Sequence, residues 1–230
     1  AMKFKETKIP GAYQLIREAH TDNRGYFART YCAQEFSENG IDFQPAQGNI
    51  SFNARAKTLR GMHFHKPPYQ EDKLVYCSAG KIFDVIVDIR ISSHTFGQWY
   101  GVELSRINGV GLFIPKGCAH GFLTLEDNSE VSYLMSPSYT PGYDTGFRWD
   151  DPTFGIIWPA APEVISRKDL DLPLMEMGLD SADLLKLQDK IQKAFYIRCN
   201  PAFFFEYNSA EKVLAFLLDE FNNSVLPSSS

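Results

Sequence analysis

No apolar run in the chain approaches the roughly 18 residues that a membrane-spanning helix needs. No basic-then-apolar leader opens it either. These two absences set aside membrane-spanning and secreted proteins and leave the expectation of a cytoplasmic one. Cysteine is scarce: Cys32, Cys77, Cys118 and Cys199 are scattered, with no Cys-x-x-Cys pair among them. Free thiols are expected rather than a disulfide framework. Positive charge is in deficit, with 23 Lys and Arg against 28 Asp and Glu and a formal net charge of −5. That balance argues against a general nucleic-acid binder, while a local basic pocket for an anionic ligand stays open. There is no internal repeat.

What is present reads as a β domain followed by a helical tail. Hydrophobic residues make up 44% of the chain and charged residues 22%, ordinary values for a globular protein. Val75 to Arg90 breaks at Ala79-Gly80, then alternates Ile82, Asp84, Ile86 and Asp88 against Phe83, Val85, Val87 and Ile89. Both faces are partly apolar, which suits a strand of a sandwich or small barrel. Gln98–Leu104, Val110–Ile114 and Glu130–Leu134 read as further short strands. Turn signals recur between strands, among them Asp22-Asn23-Arg24-Gly25, Asn108-Gly109 and Thr140-Pro141-Gly142. Many short strands at this spacing predict a sandwich or barrel. Pro159-Ala160-Ala161-Pro162 marks a change of character. From Ser181, Leu184, Leu187, Ile191 and Phe195 recur at helical steps. A second helix is expected from about Ala210 to Phe221, capped by Ser209, with Val213, Phe216, Leu217 and Phe221 as its apolar stripe; Asn222 to Ser230 is expected to fray.

Three of the five histidines lie in two glycine-punctuated runs, Leu59-Arg60-Gly61-Met62-His63-Phe64-His65 and Ile114 to Phe122, which contains His120. Histidine moves protons near neutral pH and also binds metals, and both jobs fit. Proton abstraction next to a carbonyl needs a base, a group that stabilises the enolate, and a proton donor on the opposite face. His63, Lys73 and Tyr133 have those chemical types; spacing alone does not bring them together.

Taken in order, several segments resemble the dTDP-4-dehydrorhamnose 3,5-epimerase family, the RmlC-type cupins, over about residues 3–173. They are Asp22 to Phe27, Gln47-Gly48-Asn49, Leu59 to His63, Lys73-Leu74-Val75, Phe83 to Asp88, Ile114 to Phe122, Tyr133, Trp149-Asp150-Asp151-Pro152 and Ser166-Arg167-Lys168-Asp169. Each is weak by itself; their shared order and spacing carry the likeness. The resemblance implies a mainly β cupin, a double-stranded β-helix or jelly roll with a short C-terminal α-helical appendage. It implies a homodimer that needs no cofactor and epimerises a nucleotide-linked 4-keto-6-deoxy sugar, dTDP-linked by family analogy. The C4 ketone acidifies the protons at C3 and C5. By the same analogy His63 is the base, Asp169 orients its ring, Lys73 stabilises the enolate, and Tyr133 delivers a proton from the other face. Arg24 and Arg60 match diphosphate-holding positions, where guanidinium suits phosphate. Gln47 and Asn49 match nucleotide contacts. Phe27 and Tyr139 match aromatics that pack on the base. Lys168 and His120 complete the substrate-binding set.

The chain departs from the family pattern at His65, commonly not a histidine, and at Tyr69, which replaces a common histidine. His63, His65, Glu71 and His120 together approach the ligand set of a metal-dependent cupin, since alternation puts His63 and His65 on one face of a strand. A third class, a non-catalytic module that binds or carries a sugar nucleotide, stands beside the two enzymes. The true sugar, the nucleotide and the choice of C3, C5 or both stay open.

The tail resembles a polyketide-type acyl carrier protein over about residues 174–221, through Met177-Gly178-Leu179-Asp180-Ser181, Ala182-Asp183-Leu184-Leu185 and Phe203-Phe204-Phe205-Glu206-Tyr207. That resemblance implies phosphopantetheine on Ser181. A carrier's long first helix has no room, because Val164 to Met175 belongs to the epimerase-like part; the alternative is a packing appendage with Asp180-Ser181 as a helix cap. The expected domains are 1–173, 174–225 and a disordered end at 226–230.

Overall fold

A computed structural model describes residues 1–174, 181–195 and 210–225; within the last two spans, the side chains of 181–185, 187, 210–212 and 221–225 lie outside the description. The chain divides into two compact units, Ala1–Pro173 and Leu174–Ser230.

The first unit is built from fourteen strands among the described residues: β1 (Met2–Glu6), β2 (Tyr13–Arg17), β3 (Ala19–Asp22), β4 (Gly25–Ala28), β5 (Gln47–Asn53), β6 (Thr58–His65), β7 (Asp72–Ala79), β8 (Lys81–Asp88), β9 (Trp99–Ser105), β10 (Val110–Ile114), β11 (Cys118–Thr124), β12 (Ser129–Ser136), β13 (Asp144–Gly146) and β14 (Val164–Ile165). One six-stranded sheet runs β1-β2-β10-β7-β12-β5. The other runs β13-β6-β11-β8-β9, with β14 also on β6. β3 and β4 form a separate two-stranded hairpin. The expected double-stranded β-helix is therefore the architecture found.

Apolar residues of both sheets meet in a shared core that includes Val75, Ile86, Leu112, Phe122 and Val131. An aromatic cluster with Phe36, Phe43 and Phe113 fills one end. β8 is buried on both faces over Asp84–Asp88, as its double apolar alternation predicts. The break at Gly80 is real: its φ of +71° ends β7 and turns the chain into β8.

Two short helices were not expected from the sequence: α1 (Ala33–Glu38) and α2 (Arg167–Leu170). In the second unit, α3 spans Ser181–Phe195 and α4 spans Ala210–Val225. Ile191 and Val213 are buried as the stripes require, but Phe195 is 52% exposed and does not join its stripe. α4 continues through Asn222 to Val225 instead of fraying there, while the Ser209 cap and residues 226–230 lie outside the described residues. Cys32, Cys77 and Cys118 are free thiols; Cys199 lies outside the described residues. No described helix is long and apolar enough to cross a membrane.

Candidate active site

The histidines reach one place through long-range strand pairing. β6 and β11 are antiparallel neighbours with His63 opposite His120, and the register shifts between His120 and Phe122. Glycine makes that approach close enough. Gly61 has φ +114°, and a Cβ on it would stand 2.7 Å from both Gly121 Cα and the His120 carbonyl oxygen. On the opposing sheet β12 joins β7 to β5, setting Tyr133 across from Val75 and Asn49. Between the sheets lies a cleft of about 550 Å³, lined by His63, Lys73, Tyr133, Gln47, Asn49, His65, Glu71, Tyr139 and Lys168 among others. A second lobe of about 390 Å³ shares His63, Lys73 and Tyr133 and adds Arg60 and His120.

His63 Nε2 lies 2.7 Å from Asp169 Oδ1. Asp169 is held on three sides. Its backbone N–H caps α2 by donating to Ser166 Oγ at 3.1 Å, and its Oδ2 accepts the Gly61 N–H at 3.2 Å. Burial pushes the Asp169 carboxyl up, but the His63 hydrogen bond, the charge of that ring and the Gly61 amide outweigh it and hold the carboxyl below its ordinary range. An ionised Asp169 accepts, so His63 Nε2 carries the proton and Nδ1 keeps the free lone pair.

Tyr133 is pushed up, first by burial and then by the nearby Glu71 charge, with Arg60 and Asn49 opposing. Its phenol therefore stays protonated near neutral pH and is a donor. Lys73 Nζ is 2.9 Å from Glu71 Oε1, and Glu71 Oε2 is 2.9 Å from His65 Nδ1. His120 Nε2 lies 2.6 Å from the buried Asp84 Oδ1. Arg60 is fixed by its Nε donating to Asn53 Oδ1 at 2.7 Å. Gln47 Oε1 accepts the Tyr139 N–H at 3.1 Å, and Asp144 accepts from both Tyr139 Oη (3.0 Å) and Lys168 Nζ (3.1 Å).

The structure thus brings His63, Lys73, Tyr133, Gln47, Asn49, Arg60, His120, Tyr139 and Lys168 to two adjoining clefts that share His63, Lys73 and Tyr133, with Asp169 bonded to His63 behind them. It does not bring Arg24 and Phe27 there. Both sit on the β3–β4 hairpin, Phe27 is 75% exposed, and Arg24 Nε donates to Asp22 Oδ2 at 3.1 Å. Nor does it assemble the alternative metal set. His63 pairs with Asp169, His65 with Glu71 and His120 with Asp84, and no group of three or more His, Cys, Asp or Glu among the described residues is arranged to hold a metal. His63 and His120 are thus each paired with a carboxylate outside the candidate set, Asp169 and Asp84.

Sequence reasoning gave Asp84 and Asp144 no role. Asp84 had a visible signal, an acid inside a strand of Ile, Phe and Val, where a buried charge requires a partner. Asp144 had none, because its partners, Tyr139 in a loop and Lys168 on α2, meet it only in the fold. Ser181 opens the backbone of α3, while its side chain and the segments Met177–Asp180 and Phe203–Tyr207 lie outside the described residues.

Comparison with known proteins agrees with this geometry. Residues 6–177 match the family model described as dTDP-4-dehydrorhamnose 3,5-epimerase, and residues 160–217 match one described as phosphopantetheine attachment site. The dTDP-4-dehydrorhamnose 3,5-epimerase of Sinorhizobium fredii is 42% identical over 173 residues, 75% of this chain and 89% of that protein. The crystal structure of the Bacillus anthracis enzyme with TDP and PPi bound is 40% identical with a TM-score of 0.74, covering 76% of this chain and 99% of that one. A Legionella pneumophila structure, dTDP-6-deoxy-D-glucose-3,5-epimerase in complex with dTDP-4-keto-L-rhamnose, is 35% identical with a TM-score of 0.74 over 79% of this chain and 96% of that one. With the fold, the His63–Asp169 pair and these matches together, the chain belongs to the dTDP-4-dehydrorhamnose 3,5-epimerase family.

Proposed function

We propose that this protein is an isomerase that epimerises a dTDP-linked 4-keto-6-deoxy sugar in deoxysugar biosynthesis, by acid–base chemistry at carbons flanking the ketone. The observation that carries the reading is the placement of a carboxylate-oriented base, His63, in one cleft with a protonated phenol, Tyr133, and an ammonium, Lys73. His63 Nδ1 removes the proton next to the C4 ketone. The electron pair moves onto the ketone oxygen, where the Lys73 ammonium stabilises the charge. Tyr133 then returns a proton to the carbon from the opposite face, inverting it. Asp169 stabilises the imidazolium and fixes its tautomer. Arg60, Gln47, Asn49, Tyr139, Lys168 and His120 bind the substrate. The test is incubation with dTDP-4-keto-6-deoxyglucose, with and without chelator, and identification of the product by NMR. An inverted centre at C3, C5 or both, unaffected by chelator, is expected; unchanged substrate overturns the reading.

The exposed hairpin supports a homodimer. By the family resemblance Arg24 and Phe27 match nucleotide-binding positions, yet they do not line their own cleft, and Ile50 and Phe52 expose 66% and 54% of their surface beside it. A second copy placing its hairpin over the cleft resolves both facts.

A second reading concerns the tail. The match to a phosphopantetheine attachment site and the start of α3 at Ser181 favour attachment there. Residues 160–173 of the same match are already used by β14 and α2 in the epimerase unit, so they supply no carrier first helix. A mass gain at Ser181 after treatment with a phosphopantetheinyl transferase and coenzyme A is the expected result; no gain on folded protein removes the reading.

A further inference from the structure

The reaction just described gives Glu71 no part, although this carboxylate is buried in the wall of the cleft at 9% exposure. An anion there repels the diphosphate of the substrate, and a buried charge without partners is costly. Its two oxygens are both engaged: Oε1 with the Lys73 ammonium and Oε2 with His65 Nδ1, each at 2.9 Å. The His65 contact is one of proximity, because neither ring nitrogen has an aligned hydrogen-bond partner. The Lys73 contact is the one that bears on the proposed reaction, because Lys73 is the group assigned to the enolate oxygen. A lysine carries three donors on a flexible four-carbon stem, and nothing in the stem aims them. Here the side chain is only 13% exposed and its ammonium lies 2.9 Å from Glu71 Oε1, so the ion pair fixes where the charge sits beside the cleft.

The geometry points to Glu71 as the positioning residue for Lys73: it anchors the ammonium where the oxyanion develops, and His65 occupies its second oxygen. This inference rests on the epimerase reading above. Glu71 also stands near Tyr133, where its charge adds to burial in keeping the phenol protonated.

The experiment is steady-state epimerisation of dTDP-4-keto-6-deoxyglucose by wild type, Glu71→Met, Glu71→Gln, Lys73→Met and the double variant E71M/K73M, with dTDP affinity measured by calorimetry. Glu71→Met has similar length but offers no strong acceptor, and should lower kcat about 10- to 100-fold, the cost of a misplaced group. KM and dTDP affinity should stay within about twofold, because the lost interaction belongs to the transition state. Glu71→Gln, whose amide oxygen still accepts from Lys73, should recover most of the loss. The double variant should be no slower than Lys73→Met alone, and this comparison stands even if Glu71→Met, left with an unpaired lysine, fails to fold. Full activity in Glu71→Met, or additive losses in the double variant, overturns the positioning role while the epimerase reading survives. An inactive wild type overturns both.

Discussion

At the scale of single residues, the account rests on which groups hold which protons. Asp169 is the best-defined case, since its carboxyl is held below the ordinary range against the effect of burial. A carboxyl lowered in the folded state stabilises the fold above its unfolded pKa, about 4, and that contribution is lost as pH falls through the lower folded value. Thermal melts of wild type and Asp169→Asn should therefore differ most above about pH 5 and converge as pH drops below about 4. At neutral pH the same variant should lose about 10²- to 10⁴-fold in kcat, because the amide no longer stabilises the imidazolium or enforces the Nδ1 base. A pH-independent gap in melting temperature would contradict this assignment. The roles proposed for His63, Asp169, Lys73 and Tyr133 became legible only through the family resemblance. Asp169 by itself is an unremarkable loop or cap residue in the sequence, and its partner lies 106 residues away.

At the scale of elements, the site depends on how closely two strands approach. A side chain at Gly61 would strike the Gly121 backbone and the His120 carbonyl, in a conformation that L residues rarely adopt. Gly61→Ala should cost about 1–3 kcal/mol of stability, as overpacking does, and should also reduce turnover by shifting His63 against His120. A denaturant melt and an activity assay on one preparation check both. Strand alternation and glycine turns announced β7, β8 and β10 because those features are local. The short helices α1 and α2 were not legible, since a helix this short draws its stability from tertiary contacts rather than propensity. Phe36, buried by α1 in the aromatic cluster, and Asp169, fixed by α2 beside His63, are those contacts.

At the scale of the whole molecule, the hairpin residues give the clearest prediction. If Arg24 and Phe27 serve a neighbour's cleft, then His63→Ala and Arg24→Ala, each impaired alone, should regain activity when mixed and allowed to exchange subunits. A mixed dimer contains one cleft with an intact His63 covered by an intact Arg24. No recovery, or a monomer by light scattering, would contradict the shared site. The family resemblance implied a substrate-binding role for Arg24, yet not in which copy, because one chain carries no information on its symmetry mate.

The measurement that tests the central claim most directly is deuterium incorporation in D2O from dTDP-4-keto-6-deoxyglucose, read by proton NMR at C3 and C5 for wild type, His63→Ala and Tyr133→Phe. The account predicts loss of proton signal at one or both positions with wild type and none with His63→Ala. Tyr133→Phe should still exchange protons, because the base is intact, while forming little inverted product. Exchange that survives in His63→Ala, or that a chelator abolishes in wild type, would contradict it.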